Sequence, residues 1–372
     1  MPTYKKKSKK RSKKNYKKRG GDILGIGTYG CVINPNIRCK NYNTDKKYIS
    51  KLSHIADLKA EFDIIKVLGL SKLKDFEKYI IVPLDACNMK VDYSKDDRKY
   101  IYNLHKKDID ECVNKFPKIK YMFDTVNIIQ EYGGISFTNY RKQNMTQTIE
   151  QNIPYYKKLF QAIIFLNDNG IVHRDIKHDN IVIDTVNNSI RLIDFGLAKF
   201  VNDEYNIENQ EIIIFFDENI NRKGYYIWPA EVYIFSNLYT KHYLEYIDKT
   251  VLDNYYNEYI RWISNMSIYR KGFIKQLNEI NNDITSIEKE TNKNNLIINW
   301  VNESNKKLDV FSLGIFLMKE ITLLEKNTSN KNLVNELKDY VYDIMLQQDS
   351  RRRFDINMSY NYFKEICKDY NI

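Results

Sequence analysis

The stretch Ile171–Asn180 reads IVHRDIKHDN, and the triplet DFG follows it at Asp194–Gly196. The two segments set an acid, a lysine, an amide and a second acid at fixed offsets. Transfer of a phosphoryl group from ATP needs such a set, namely a carboxylate that orients a hydroxyl, a cation for the γ-phosphate and oxygen ligands for Mg²⁺. The pattern therefore predicts a phosphotransfer site.

The spacing H-R-D-x-K-x-x-N followed by D-F-G resembles the eukaryotic-type protein kinase family, and the short spacings and polar insertions are similar to those of kinases of large DNA viruses. The resemblance implies an α+β, bilobal protein-kinase-like fold, with a small antiparallel-sheet N-lobe carrying one helix and a larger, mainly helical C-lobe. We expect a disordered basic tail over residues 1–20, the N-lobe over 21–132 with an insertion at about 88–125, and the C-lobe over 133–372 with an insertion at about 232–308.

The resemblance assigns a role to each residue of the catalytic loop. Asp175 is expected to act as the catalytic base on the acceptor hydroxyl, and Lys177 to neutralise charge on the transferring γ-phosphoryl group. Asn180 and Asp194 are expected to bind Mg²⁺ or Mn²⁺. Arg174 is expected to tie this loop to the activation segment. The remaining residues of the two motifs are expected to be structural: His173, Phe195 and Gly196.

By the same resemblance, Lys177 favours a serine/threonine kinase over a tyrosine kinase, which commonly carries Ala or Arg near that point. Together with two downstream motifs, it argues against small-molecule phosphotransferases. Pro229-Ala230-Glu231 corresponds to the A-P-E motif with its first two residues exchanged. Glu231 is expected to pair with an arginine of the run Arg351–Arg353, and counting from Asp349 favours Arg353. Asp309, in the string DVFSLG, is expected to brace the backbone of the catalytic loop.

A glycine-rich turn at Gly25–Val32 reads GIGTYGCV, which alone is a weak signal because dinucleotide-binding turns look similar. Here the glycines lie between two predicted strands, and no helix follows them. Glycines let backbone N–H groups approach the β- and γ-phosphates closely. The ATP-binding residues expected in this turn are Gly25, Gly27, Thr28, Tyr29, Gly30 and Val32.

Further ATP-binding residues follow from the same resemblance. Lys51 stands where the family places the lysine of the α- and β-phosphates, and Glu61 is its expected partner on the next helix. The backbones of Glu131 and Gly133 are expected to meet the adenine edge. Ile49 replaces the usual alanine, and the Lys51–Glu61 spacing is short, so a pseudokinase scaffold with weak nucleotide binding stays open as an alternative.

Hydrophobic periodicity predicts the main elements. Two strands flank the glycines in Asp22–Asn34, and others are predicted at Lys47–Leu52, Tyr79–Leu84, Val126–Tyr132, Ile181–Asp184 and Ile190–Ile193. Helices are predicted at Ile55–Leu68, from Pro154 to about Gly170, and at Ile274–Ile287. The last of these belongs to an insert that is either a docking segment or a helical elaboration packed on the C-lobe.

The formal net charge of +11 is concentrated at the N-terminus, where residues 5–19 hold eleven Lys and Arg. Without these eleven, 48 basic residues face 48 acidic ones. The run could bind nucleic acid or another acidic partner, or only aid solubility. No secretory signal, membrane span or C-x-x-C pair is visible, so we expect an intracellular protein, cytoplasmic or nuclear, with free cysteines.

The segment from Leu197 to Ala230 contains no Ser or Thr. Kinases switched on by loop phosphorylation use such a hydroxyl to create a phosphate–arginine pair. We therefore expect activity that does not depend on Ser/Thr phosphorylation here, with carboxylates between Asp203 and Glu218 as candidate partners of Arg174.

Taken as a whole, the motifs predict a serine/threonine protein kinase that uses ATP with Mg²⁺ or Mn²⁺ and acts on a protein substrate. Two alternatives remain, a catalytically weak pseudokinase scaffold and a nucleic-acid-binding protein that uses the basic tail.

Overall fold

The computed structural model describes residues 22–27, 30–88, 91–92, 94–96, 125–201, 227–232, 270–287 and 289–372, with short pieces between 98 and 114. The predicted tail, the turn residues Thr28 and Tyr29, the carboxylates of 203–218, most of the first predicted insertion and about half of the second lie outside the described residues.

The chain divides into two compact units. One contains the residues up to Leu58 together with Pro83–Tyr132, and the other contains Lys59–Val82 together with Gly133–Ile372. The first is built on an antiparallel sheet and the second is mainly helical, which confirms the predicted α+β fold class. The predicted boundaries of tail, lobes and insertions stay predictions.

The first unit is a five-stranded sheet in the order β1-β2-β3-β5-β4, and all neighbouring strands are antiparallel. Two short hairpin strands flank the glycine-rich turn, and β3 occupies the centre of the sheet. The buried apolar residues of these central strands are Leu52 on β3 and Val126, Ile128 and Ile129 on β5. The strands are β1 Asp22–Gly27, β2 Gly30–Asn34, β3 Tyr48–His54, β4 Asp85–Asn88 and β5 Thr125–Glu131.

The strand predicted at Tyr79–Leu84 is wrong. Ile80 makes an isolated parallel bridge to Leu192, and the N–H of Ile81 donates to the carbonyl of Leu192 at 2.9 Å. The consecutive residues Ile80, Ile81 and Val82 are all buried. An uninterrupted apolar run has no alternation of apolar and polar residues. The sequence therefore could not show whether this run is a sheet strand or an extended segment in the core.

Helix α1 (Ile55–Leu68) has the predicted bounds. The second unit contains α2 (Phe137–Gln143), α3 (Ile149–Asp168), α4 (Arg270–Ile287), α5 (Lys293–Lys306), α6 (Leu308–Leu324), α7 (Lys331–Tyr340) and α8 (Ile356–Asp369). Its short strands are β6 (Ile135–Ser136), β7 (Ile171–Val172), β8 (Ile181–Asp184), β9 (Ser189–Leu192) and β10 (Lys199–Phe200). They form a β6-β8-β9 sheet and a β7-β10 pair.

Helix α4 covers the predicted helix Ile274–Ile287 and begins four residues earlier, at Arg270. Its buried residues Phe273, Leu277, Ile280 and Ile284 belong to the main core of the second unit. This placement favours the helical elaboration over the docking segment. Among the described residues, no helix combines the length and the apolar composition needed to cross a bilayer.

The predicted start of the second long helix at Pro154 is wrong, because α3 begins at Ile149 and contains Pro154. Thr148 and Gln151 form a capping box, with the Thr148 hydroxyl accepting from the N–H of Gln151 and the Gln151 amide accepting from the N–H of Thr148. The T-x-x-Q pattern marks this start in the sequence. Proline is common at the first position of a helix, and for this reason the predicted start lay five residues after the observed one.

The prediction of free cysteines is wrong for four of the five. Disulfides join Cys31 to Cys112 and Cys39 to Cys87, across 81 and 48 residues respectively. Only Cys367 remains free, buried in the second unit. The pairing depends on how the sheet brings distant segments together, so cysteine spacing alone could not reveal it.

Replacing Cys39 and Cys87 together by serine is expected to lower the free energy of unfolding by about 2–5 kcal/mol, because the disulfide restricts a long loop in the unfolded chain. Urea unfolding with and without a reductant measures the effect. A Cys367→Ala variant should remain as sensitive to reductant as the wild type. Wild-type unfolding that does not respond to reductant would contradict the prediction.

Candidate active site

The catalytic loop lies between two buried strands, β7 and β8. It leaves β7 at Val172 and enters β8 at Ile181 through a 3₁₀ turn at His178–Asn180. Ile176, in the middle of the loop, is fully buried. Apolar residues thus fix the loop at both ends and at its centre, and the polar side chains between them are held in defined positions.

Three of the predicted residues meet at one carboxylate. Asp175 is buried, and its Oδ2 accepts a hydrogen bond from Lys177 Nζ at 2.9 Å and another from Asn180 Nδ2 at 2.7 Å. Asn180 Nδ2 also donates to the carbonyl of Asp175 at 3.0 Å. The two hydrogen bonds fix the position of the carboxylate, and a general base has to be held within reach of the proton that it accepts.

The two predicted metal ligands are neighbours in the backbone network. The N–H of Ile193 donates to the carbonyl of Asn180 at 3.0 Å, which brings Asn180 within one residue of Asp194. Asp194 has a left-handed φ of 67°. Their amide and carboxylate oxygens are of the kind that Mg²⁺ prefers, and Mg²⁺ commonly takes one or two such ligands together with phosphate oxygens. The residues present fit this ion.

The side chains of His173 and Asp309 accept hydrogen bonds from backbone N–H groups of the catalytic loop. Asp309 accepts from the N–H of His173 at 2.7 Å and from the N–H of Arg174 at 2.8 Å. Burial lowers the pKa of His173, although the charges of Asp309 and Asp194 act in the opposite direction. The neutral imidazole accepts from the N–H of Asp175 at Nδ1 (3.2 Å) and lies 3.1 Å from the carbonyl of Ile193 at Nε2.

Asp309 is itself buried at the start of α6. Burial raises its pKa, while His173 and the two backbone N–H groups favour the charged form. The Phe195 ring packs on the His173 ring with centroids 4.6 Å apart, and Gly196 follows it in a tight turn. The two motifs are therefore joined through the side chains of His173 and Phe195.

The structure brings Glu231 and Arg353 together as a fully buried ion pair. Arg353 Nη2 lies 2.9 Å from Glu231 Oε1, and neither side chain is exposed. Glu231 also accepts from Trp300 Nε1 at 3.1 Å, from Ser304 Oγ at 2.8 Å and from the N–H of Ser350 at 2.8 Å. Such a pair is stable only because its remaining hydrogen-bonding capacity is satisfied.

A second buried network behind the catalytic loop was not predicted. Glu320 on α6 accepts from Arg141 Nε at 3.0 Å and from the Tyr156 hydroxyl at 3.1 Å, and lies 3.1 Å from His178 Nε2. Burial favours a higher pKa for Glu320, but His178 and Arg141 outweigh it and hold the pKa below its usual value. The only sequence signal was an acid in the stretch FSLGIFLMKEITLL, which is otherwise almost entirely apolar.

The first unit contains six of the eight predicted nucleotide-binding residues that the structure describes. Gly25 and Gly27 lie on β1, whereas Gly30 and Val32 lie on β2. Gly30 has φ +149°, and a Cβ there would lie 1.9 Å from the carbonyl oxygen of Leu52, so no other residue fits without moving β3. Within the sheet, Lys51 pairs in register with Val32 on one side and Ile128 on the other.

The remaining predicted residues fall into both units. Glu131 ends β5 of the first unit, exposed and opposite Tyr48. In the second unit, Glu61 is buried on α1. A Cβ on Gly133, also in the second unit, would lie 2.2 Å from Ile81 Cδ1, so a larger residue would require the Ile81 side chain to move.

Comparison with known proteins gives a consistent family. A family model for the protein kinase domain matches residues 19–216, more than half of the chain. A protein named as a probable serine/threonine-protein kinase of Dictyostelium discoideum is 31% identical over 112 residues, which are 30% of this chain and 24% of that protein. Glycogen synthase kinase 1 of Pyricularia oryzae is 28% identical over 114 residues, 29% of this chain and 27% of that protein.

CBL-interacting protein kinase 10 of Oryza sativa subsp. japonica is 26% identical over 160 residues, 39% of this chain and 34% of that protein. The chain thus matches only about a quarter to a third of the length of these relatives. The extent of the family-model match, together with the geometry of the catalytic loop, leads to one conclusion: the chain belongs to the protein kinase domain family.

Proposed function

We propose that the protein is a serine/threonine protein kinase that transfers the γ-phosphate of ATP to hydroxyl groups of a protein substrate. One observation carries the proposal: the buried carboxylate of Asp175 has Lys177 and Asn180 bound to the same oxygen. This arrangement supports a base, a cation for the γ-phosphoryl group and a metal ligand within a single loop.

In the proposed reaction the acceptor oxygen forms a bond to the γ-phosphorus, while the bond from that phosphorus to the β,γ-bridging oxygen breaks and ADP leaves. Asp175 accepts the proton of the hydroxyl, and Lys177 offsets the charge of the transferring group. Asn180 and Asp194 would hold Mg²⁺ or Mn²⁺, which would neutralise charge on the phosphates when bound. The proposed nucleotide ligands are the glycine-rich turn, Lys51 with Glu61, and the backbones of Glu131 and Gly133.

The serine/threonine class is supported by Lys177, two residues after Asp175, and by the name of the relative from Dictyostelium discoideum. Activity independent of Ser/Thr phosphorylation between Leu197 and Ala230 belongs to the same proposal, because that segment has no such hydroxyl. The likeness to kinases of large DNA viruses, the intracellular location and an acidic partner for residues 5–19 stay predictions.

The decisive experiment measures γ-phosphate transfer from labelled ATP to a generic basic protein, with Mg²⁺ or Mn²⁺, followed by phosphoamino-acid analysis. The wild type is expected to label serine or threonine, and Asp194→Ala is expected to abolish transfer because it removes a metal ligand. Asp184→Asn, which changes the carboxylate of the last residue of β8, is the control and should retain activity.

A well-folded wild type that transfers no phosphate to a broad set of acceptors would overturn the proposal and favour the pseudokinase scaffold. Labelling restricted to tyrosine would overturn the serine/threonine class alone.

A further inference from the structure

Trp228 makes two contacts with Arg174, the residue that precedes the proposed catalytic base. The indole Nε1 donates a hydrogen bond to the carbonyl oxygen of Arg174 at 2.7 Å. The guanidinium carbon of Arg174 lies 5.2 Å from the centroid of the indole ring, within the range of a cation–π interaction. Both residues are buried. Trp228 therefore holds the backbone and the side chain of Arg174 at once.

Helix α6 positions both sides of this contact. Asp309 accepts from the N–H of Arg174, and Ser312 Oγ donates to the carbonyl of Ile227 at 2.8 Å. Asp309 and Ser312 are three residues apart, so they lie on the same face of the helix. One helix face thus fixes the catalytic loop and the segment that carries Trp228 side by side.

Arg174 needs such support for two physical reasons. Its φ of 68° is a left-handed conformation that a residue with a Cβ adopts only when its surroundings impose it. Its charged group is buried, and a buried charge requires compensating contacts. The face of the indole ring carries negative electrostatic potential and supplies one of them.

In kinases that are switched on by loop phosphorylation, a phosphate paired with arginine orders the activation segment. We propose that Trp228 takes over this positioning role: its ring and its N–H hold Arg174, and through it Asp175, ready for phosphotransfer without a phosphorylated residue. Trp228 is a positioning residue and does not act on the substrate. The inference rests on the proposed kinase function and explains how a segment without Ser or Thr can support it.

The kinetic test uses the full-length protein produced together with a phosphatase and shown by mass spectrometry to carry no phosphate. The wild type is expected to remain active. Trp228→Leu is expected to lower kcat by about tenfold or more, with the KM for ATP changed less than about twofold, because ring and donor are both lost. Trp228→Phe keeps a ring for the guanidinium and should lose less.

Two comparisons separate positioning from general stability. Phe363→Leu removes a buried aromatic side chain from α8 and is the matched control, expected to lower Tm while leaving kcat unchanged. Combining Trp228→Leu with Arg174→Met should lower kcat no further than the more severe of the two single variants, because both changes break the same contact.

Hydrogen–deuterium exchange supplies a readout that does not require catalysis. The amides of His173–Asp175 are expected to exchange slowly in the wild type and faster in Trp228→Leu, but not in Phe363→Leu. If the wild type transfers no phosphate and this response is still seen, the proposed function fails while the positioning by Trp228 stands. Unchanged kcat and unchanged exchange in Trp228→Leu and Trp228→Phe would overturn the inference. A wild type that is active when phosphorylated and inactive after dephosphorylation would also overturn it.

Discussion

Replacing Asp175 by asparagine is expected to lower kcat for γ-phosphate transfer by about 10²–10⁴-fold, the contribution typical of general acid–base catalysis. Asparagine has nearly the same shape, and its amide oxygen can still accept from Lys177 Nζ and Asn180 Nδ2. The loop should therefore keep its conformation. The change removes only the charge and the ability to accept a proton.

Initial rates over a range of ATP concentrations measure this effect, and the KM for ATP should stay within about twofold of wild type because the loss belongs to the chemical step. Asp179→Asn provides a matched control, since Asp179 is an exposed carboxylate four residues along the same loop. It should leave kcat unchanged. Equal losses in the two variants, or full activity in Asp175→Asn, would remove Asp175 from its proposed role.

The sequence was most informative where the signal is local. The offsets between Asp175, Lys177 and Asn180 are fixed by one short loop, so their spacing predicted the meeting of three side chains that the structure shows. Helix α1 was predicted with its observed bounds because its apolar residues recur at helical intervals. Arg353 was selected by counting, and the buried pair with Glu231 agrees with that choice.

Long-range features could not be predicted in this way. The disulfides join residues 81 and 48 positions apart. No pattern in the sequence indicates which segments of the chain become neighbours and so which cysteines can pair. Glu320 and Arg141 are separated by 179 residues, and His178 resembled an ordinary loop residue until the fold placed it beside Glu320. A buried polar network depends on tertiary placement, which neither propensity nor periodicity encodes.

The contact between Trp228 and Arg174 was not predicted, although the need for a partner of Arg174 was. The missing hydroxyls between Leu197 and Ala230 indicated that Arg174 needs a partner other than a phosphate, and carboxylates were the expected candidates. Those carboxylates lie outside the described residues, and one contact of the Arg174 guanidinium in the described part of the chain is with an aromatic ring. A buried guanidinium can bind the face of an indole as well as a carboxylate, and no charge pattern in the sequence indicates such a contact.

Replacing Arg353 by methionine is expected to lower the free energy of unfolding by about 3–5 kcal/mol, because it leaves the carboxylate of Glu231 buried without its cation. Trp300, Ser304 and the N–H of Ser350 remain as neutral donors, so the carboxylate stays hydrogen-bonded but its charge is no longer offset. Urea unfolding measures the loss.

The adjacent Arg352 gives a control with the same substitution. Its pair with Glu279 is half-exposed, so Arg352→Met should cost no more than about 1 kcal/mol. The double variant Glu231→Gln/Arg353→Met is expected to be more stable than Arg353→Met alone, because no uncompensated charge is left in the core. If Arg352→Met and Arg353→Met lose equal stability, or if adding Glu231→Gln destabilises the protein further, the buried pair is not what anchors the segment that contains Glu231.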